Sequence, residues 1–585
     1  MDPTKVNLTE NGFYPGAAPQ FALFHSRRSV VYSTKGVIAC PQPLAAQAGV
    51  SIIKQGGNAA DAAVATAAAL GLTEPCSTGI GGDMFCLFWD EKQKRLSAIN
   101  GSGRAPTGLS LARCREMGFT GKLLPRDNVN TATVPGAVAG WVDLIERHGS
   151  GKLSMQEILG PAIELADGGF PVSEITAEQW VESESMLQHA SPNGNEMLKN
   201  GKAPTRGQIF KNPTLANTLR SIASHGKAGF YKGRVAQEIV NIVSGLGGVM
   251  TLEDLENHHS TFEEPLISRY HDIELVECSP NGQGIIALQA LEMIKSLEKQ
   301  AKIPPIEKLQ HNSVEYLHVL IEVLRYAFAD GNQYISDPLM ERTPIQELLT
   351  QEYSGRRLSD FRTDAADMKL RHGNPITSSD TVYFSTSDQE GNACSFIASN
   401  ASNFGCGVVP KGCGFPLQNR GSGFVLKDGH LNCIKPGKRP YHTIMPAMIM
   451  KDGKFETCYG VMGGFMQPQG HLQVLLNLYA FGHNPQEALD APRICIRPAR
   501  ATLEYTQTVD DAHLAEKSAV AVEEGIDESV VDGLRKLGHE VDAVKGWKRG
   551  IFGRGQIIQV YCDPNGERVY CAGSDPRGDG HAVPC

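Results

Sequence analysis

Thr381 and Ser399 are hydroxyl-bearing residues whose spacing lets them meet. Residues Thr381–Asp388 read TVYFSTSD and Ala393–Ser399 read ACSFIAS, two β-favouring runs separated by Gln389–Asn392. In a hairpin symmetric about Glu390, Thr381 and Ser399 are equidistant from the turn and face each other. Directly opposed residues on antiparallel strands hold their Cβ atoms about 4.5–5.5 Å apart, close enough for two hydroxyls to share a hydrogen bond. An ordinary Thr/Ser pair in a sheet does as much. What sets this pair apart is the run before it, Thr377–Asp380, which carries no bulky packing group. A threonine at a new chain start holds nucleophile and base on one residue, because its α-amine, with a reference pKa of about 7.7–8.0, accepts the hydroxyl proton. Before the chain is cut, the same hydroxyl can attack the Asp380 carbonyl, form an ester by N-to-O shift and be released by water. The expected chemistry is self-cleavage between Asp380 and Thr381, followed by acyl transfer through Thr381.

The elements that must position this pair are legible in outline. Gly36–Cys40 reads as a strand. Pro43 opens a helix that Gly56-Gly57 stops, and Asn58 caps a second, alanine-rich helix running to Leu70 with Asp61 at its positive end. Thr78–Asp83 is a glycine loop feeding a hairpin, with strands over Met84–Trp89 and Arg95–Asn100. The stretch from about Ala137 to Ala329 alternates helical patterns with Gly, Pro and Asn, and the last third turns strand-rich. No internal repeat and no linker interrupts this, so a single layered α/β unit is expected.

Composition excludes several classes. A net charge of −9 over 585 residues, with no block of Lys and Arg, offers no surface for nucleic acid. The first residues lack a charged start followed by an apolar run, and the longest apolar stretch, Ala59–Leu72, is too short to span a bilayer. No membrane association is expected, and the reading is cytoplasmic. The 14 cysteines are scattered without a CxxC pair, which fits reduced thiols rather than zinc or a disulfide framework. His258-His259 and His442 have no carboxylate or cysteine cluster beside them, so no metal and no cofactor is expected. Gly79-Ile-Gly81-Gly82 precedes a strand instead of following one, which argues against a dinucleotide.

Seven blocks in order carry a resemblance: QPLAAQAGVSIIKQGGNAADAAVA from Gln42, STGIGGDMF from Ser77, NGSGRAP from Asn100, DTVYFSTSDQEGNA from Asp380, KRPYHTIMPAM from Lys438, GVMGGF from Gly460 and SDPRGDG from Ser574. Together they resemble the γ-glutamyltranspeptidases of the N-terminal-nucleophile hydrolase superfamily. The resemblance implies a four-layer αββα sandwich and a proenzyme that splits into a large fragment, 1–380, and a small one, 381–585. Both stay in one globule, a processed heterodimer of the chain's own fragments, open to further oligomerisation. It implies a second hydroxyl at Ser399 near the nucleophile Thr381, and an oxyanion element at Gly463-Gly464, where backbone N–H groups stabilise charge on a tetrahedral oxygen.

The departures bear on substrate. Where glutathione-processing members hold the α-carboxylate of a γ-glutamyl group with an arginine, this sequence has Ser102, with Arg104 two residues on. The amine-binding positions are replaced by Arg420 and Gly423, leaving no carboxylate there. The expected serine pair is His442-Thr443, and the expected asparagine is Ala401, beside Asn400. Arg104 and Arg420 are therefore the candidates to bind an anionic acyl group, with Asn400, His442 and Thr443 lining the pocket. The reading is a self-processing amidohydrolase or acyltransferase working by a ping-pong route. Its partners are a small-molecule amide, with γ-glutamyl or another, anionic, acyl group, and water or an amine acceptor. Two alternatives stand beside it: a true glutathione hydrolase or γ-glutamyltransferase with relocated amine contacts, and a catalytically idle binding or assembly protein on the same fold.

Overall fold

The structure, a computed structural model, describes residues 28–367, 381–498 and 518–585. Two seven-stranded antiparallel sheets lie at its centre. In the first, the order is His581–Pro584, Val37–Cys40, Val382–Ser387, Ala393–Ser399, Asp83–Asp90, Arg95–Gly101 and Thr261–Glu263. In the second, it is Val31–Ser33, Arg568–Ser574, Arg554–Cys562, Lys454–Met462, Ala447–Lys451, Ile273–Glu277 and Leu266–Tyr270.

Three apolar layers account for the stacking. Tyr383, Ile397, Phe85, Leu87 and Trp89 from the first sheet meet Val276, Met448, Cys458 and Ile558 from the second. On the outer face of the first sheet, Val382, Phe384, Phe396 and Ala398 pack against the helices Pro43–Lys54, Ala59–Thr73, Ala137–His148 and Met155–Gly168. The second sheet is covered by Gly284–Lys299, Val314–Tyr334 and Met466–Tyr479. This is the four-layer αββα sandwich. Because the first sheet is covered on both faces, its strands show no apolar/polar alternation. Their hydroxyls are instead paired inside: Tyr383 Oη lies 2.7 Å from both Ser385 Oγ and Ser395 Oγ.

The expected helices form, and Asn58 with Asp61 makes a reciprocal cap on Ala59–Thr73. Among the described residues, no helix is long and apolar enough to cross a membrane.

Side-chain parity decides what the first sheet presents between the layers. Val382 pairs with Ala398, and Ser399 with Asp83. Thr381, Ser399 and Asp83 therefore stand in a row at one end of three adjacent strands, on the side of Tyr383, Ile397 and Phe85. Gly82 lets the preceding loop approach, since a Cβ there would lie 2.4 Å from the carbonyl oxygen of Ser399.

Candidate active site

Thr381 and Ser399 are both fully buried, and the Thr381 hydroxyl donates to Ser399 Oγ at 3.2 Å. The pairing follows the hairpin spacing. Ser399 Oγ also accepts from the backbone N–H of Ala401 at 2.9 Å and from Arg420 Nη2 at 3.2 Å. The other terminal nitrogen of Arg420 donates to Thr443 Oγ1 at 2.8 Å. One run of hydrogen bonds thus joins Thr381, Ser399, Arg420 and Thr443, drawn from the hairpin and from two loops that precede the second sheet's central strands.

Arg420 is buried, yet among the described residues no carboxylate lies within ion-pair distance of it, and its Nε has no partner. Burial pulls its pKa down to about 10, with the charge of Asp83 opposing the fall. Asp83 is the third member of the row on the sheet. Its Oδ1 accepts from the N–H of Gly103 at 2.8 Å, the N–H of Gly136 at 3.2 Å and Gln418 Nε2 at 2.8 Å. Its Oδ2 lies 3.0 Å from His442 Nε2. Because His442 Nδ1 accepts from the N–H of Ile444, the ring carries its proton on Nε2 and donates it to Asp83. Burial, then the nearby Arg420 charge, push the His442 pKa down to about 4 against the pull of Asp83, so the imidazole is neutral at ordinary pH.

Gly463 and Gly464 form a tight turn with φ of 128° and 56°, directly before the helix Met466–Tyr479. Positive φ is what a glycine pair permits at low cost. Among the described residues, neither N–H of the pair has an acceptor. Both lie at the positive end of a 14-residue helix, which favours a developing negative charge. The turn is held by Gln283, whose Nε2 donates to the carbonyls of Gly464 at 2.9 Å and Thr443 at 2.5 Å, while Tyr441 Oη donates to Gln283 Oε1 at 2.8 Å. Gln283 therefore ties the glycine turn to the Thr443 loop.

Other expected site residues lie elsewhere. The Asn400 amide turns away from Thr381 to donate to the carbonyl of Pro75 at 3.1 Å, and its own backbone bonds hold the Ser77 and Asn419 loops. Arg104 is partly exposed and donates to the carbonyl of His259 at 3.0 Å. No described contact brings it to Thr381. Ser102, at the position expected for an arginine, is turned inward on Asn100 Oδ1 at 2.7 Å. Asp380 lies outside the described residues.

One grouping of metal-ligand type exists among the described residues, His318, Glu322 and His539. A guanidinium already fills it: Arg325 Nη1 donates to Glu322 Oε1 at 2.9 Å and to His539 Nδ1 at 3.0 Å, and His539 and His318 are hydrogen-bonded to each other at 2.8 Å. Sequence reasoning did not assign roles to Asp83, Gln283, Gln418 or Tyr441. The sole signal for Asp83 was a carboxylate directly ahead of an otherwise apolar strand.

A family model described as gamma-glutamyltranspeptidase matches residues 45–585. Over 555 residues the chain is 33% identical to the glutathione hydrolase-like YwrD proenzyme of Bacillus subtilis (strain 168), covering 94% of this chain and 99% of the relative. It is 32% identical over 555 residues to the oxamate amidohydrolase proenzyme of Klebsiella pneumoniae, covering 94% and 98%. Among solved structures, cephalosporin acylase from Bacillus halodurans superimposes with a TM-score of 0.83 at 37% identity, over 97% of this chain and 99% of that one.

Proposed function

The chain belongs to the γ-glutamyltranspeptidase family and is a self-processing amidohydrolase or acyltransferase of that type; within it, we propose that Thr381 acts on amides whose acyl group carries a carboxylate. The observation that carries this reading is Arg420, a buried guanidinium without a carboxylate partner, one hydroxyl away from Thr381. A carboxylate entering beside it gains a charge-assisted hydrogen bond in a dry site, where such bonds are strongest. The α-ammonium of a γ-glutamyl group would meet the same positive charge. The adjacent carboxylate, Asp83, is already taken up by four donors.

In this reading, the Thr381 hydroxyl first attacks the Asp380 carbonyl. The acyl group moves from nitrogen to oxygen, which breaks the peptide C–N bond and frees the α-amine, and water then hydrolyses the ester, releasing the Asp380 carboxylate and returning the Thr381 hydroxyl. In turnover, that amine takes the hydroxyl proton as the oxygen attacks the substrate carbonyl. The N–H groups of Gly463 and Gly464 receive the oxyanion, the leaving amine departs with the proton, and water or an acceptor amine resolves the threonyl ester. Ser399 holds the nucleophile in place, Arg420 anchors the acyl carboxylate, and Thr443 and His442 line the wall behind it. Arg104 and Asn400 are assigned to the surrounding frame.

Of the two relatives, the oxamate amidohydrolase agrees with this substrate class and the glutathione hydrolase-like one does not speak for it. Oxamate, in the name of one, is the monoamide of a dicarboxylic acid, and the other is named glutathione hydrolase-like. The test is twofold. Mass spectrometry of the mature protein finds a fragment beginning at Thr381, which Thr381→Ala abolishes together with activity. Assayed side by side, oxamate and a glutaryl anilide are hydrolysed faster than a γ-glutamyl anilide and glutathione. An intact chain that still turns over these amides defeats the mechanism, and a preference for γ-glutamyl compounds defeats the substrate assignment.

A further inference from the structure

Arg420, which touches Ser399, and Thr443, which touches Arg420, sit on separate loops, and neither loop is held to the other by a strand ladder. Their common support is Asp83. Gln418, two residues before Arg420, donates to Asp83 Oδ1 at 2.8 Å. His442, one residue before Thr443, donates to Asp83 Oδ2 at 3.0 Å and packs edge-on against Phe85 with ring centroids 5.0 Å apart. The N–H groups of Gly103 and Gly136 fill the remaining side of Oδ1. Asp83 itself is fixed by the sheet, because its strand pairs it with Ser399.

We propose that Asp83 is the positioning residue of the acyl pocket: through Gln418 and His442 it sets Arg420 against Ser399 and Thr443 against Arg420, and its charge keeps the Arg420 guanidinium ready for an anion. The inference rests on the reading of Arg420 as the anchor for the acyl carboxylate. It makes Asp83 act on substrate only through its neighbours. A carboxylate in this place does two things a neutral hydrogen-bonding group does not. It accepts from four donors on four segments, and it offsets a buried positive charge that no carboxylate among the described residues touches. The charged or titratable groups that act on Arg420 or on its neighbour His442 are Asp83, His442 and, through His442, Arg439.

The experiment compares self-processed wild type with Asp83→Asn on two probes of equal length, glutaryl p-nitroanilide and uncharged valeryl p-nitroanilide. Both are measured for kcat and KM from pH 6 upward. The same choice is scored by the thermal shift that glutarate gives relative to glutardiamide. Asp83→Asn is expected to cut the glutaryl-to-valeryl ratio of kcat/KM by about tenfold or more, mainly through KM, as loss of a charge-assisted contact does. The alkaline fall of the glutaryl reaction should also begin at lower pH, since Arg420 then loses the negative charge that opposes its deprotonation.

Equal losses on both probes, or a loss in kcat alone, overturn the positioning role and leave the Arg420 reading standing. A wild type that favours neither glutaryl substrate nor glutarate overturns the Arg420 reading, and the inference with it. Should Asp83→Asn fail to fold or to process, Gln418→Met removes one strut and keeps the carboxylate. It is expected to lower the same ratio by about threefold, and an unchanged ratio there overturns the proposal.

Discussion

Two buried arginines in this molecule have opposite surroundings. Arg577 grips Glu523 with two nitrogens, Nε at 2.7 Å and Nη2 at 2.6 Å, and Asp575 with a third at 3.0 Å, and the carbonyls of Leu489 and Ala491 complete it. Arg493 and Arg549 join the same carboxylates. Although burial alone would raise it, Asp575 is held down to about 2 by Arg493 and Arg577. Arg420 has only hydroxyls, and its pKa is drawn down to about 10. The first arginine is closed on the protein's own charges and serves as a lock between the C-terminal strands and the small sheet of Ile494–Pro498, Ser518–Glu523 and Glu540–Val544. The second is a buried charge that no carboxylate among the described residues touches. Such a charge weakens the fold and earns its keep only when an anion arrives.

The contrast can be broken by substitution. Arg577→Met should leave Glu523 and Asp575 underpaired and cost about 3–5 kcal/mol, read as a lower denaturation midpoint that no dicarboxylate restores. Arg420→Met should do the reverse. The melting temperature should hold or rise, while kcat/KM for a carboxylate-bearing amide falls by about 2–3 kcal/mol, roughly 30- to 150-fold. A large drop in stability for Arg420→Met would show that the two arginines are alike after all.

Ligand binding sharpens it further. Glutarate at ten times its Kd should stabilise wild type by about 1.4 kcal/mol in thermal melts and Arg420→Met by none. The smallest effect is in pH. Arg420 is cationic below its pKa, so anion-dependent kcat/KM should be nearly full at pH 9, with roughly a tenth of the sites neutral, and should fall as pH passes about 10. Arg577, raised above its ordinary value by Glu523 and Asp575, should keep its lock throughout that range. On the acid side the sign inverts. Asp575 is depressed in the folded state, so the stability it contributes is present above its unfolded value and is lost as pH falls through that value toward about 2.

Legibility in the sequence followed distance along the chain. The Thr381–Ser399 pair was readable because one short turn sets its register, and the capped helix at Asn58 because its signals lie within a few residues. The glycine pair at 463–464 was found through its surrounding block. Asp83 was not readable as a hub, since its partners lie 20 to 359 residues away and only the sheet order brings them together. Gln283 was hidden for the same reason, with its acceptors 160 and 181 residues on. Arg104 stands two residues from Ser102 in the sequence. The chain between them is fixed by the bond from the Gly103 N–H to Asp83, and the Arg104 side chain runs to His259 instead.

The strand order has one more outcome. Residues on either side of position 381 alternate through both sheets: Val37–Cys40 lies between His581–Pro584 and Val382–Ser387, and Val31–Ser33 borders Arg568–Ser574. A chain cut ahead of Thr381 would thus be woven like two threads in one cloth, and neither thread would own a complete sheet. The intact precursor can find this weave by folding once. The cut form, unravelled, would have to reassemble it from two strangers in solution, so its durability is a matter of never coming apart.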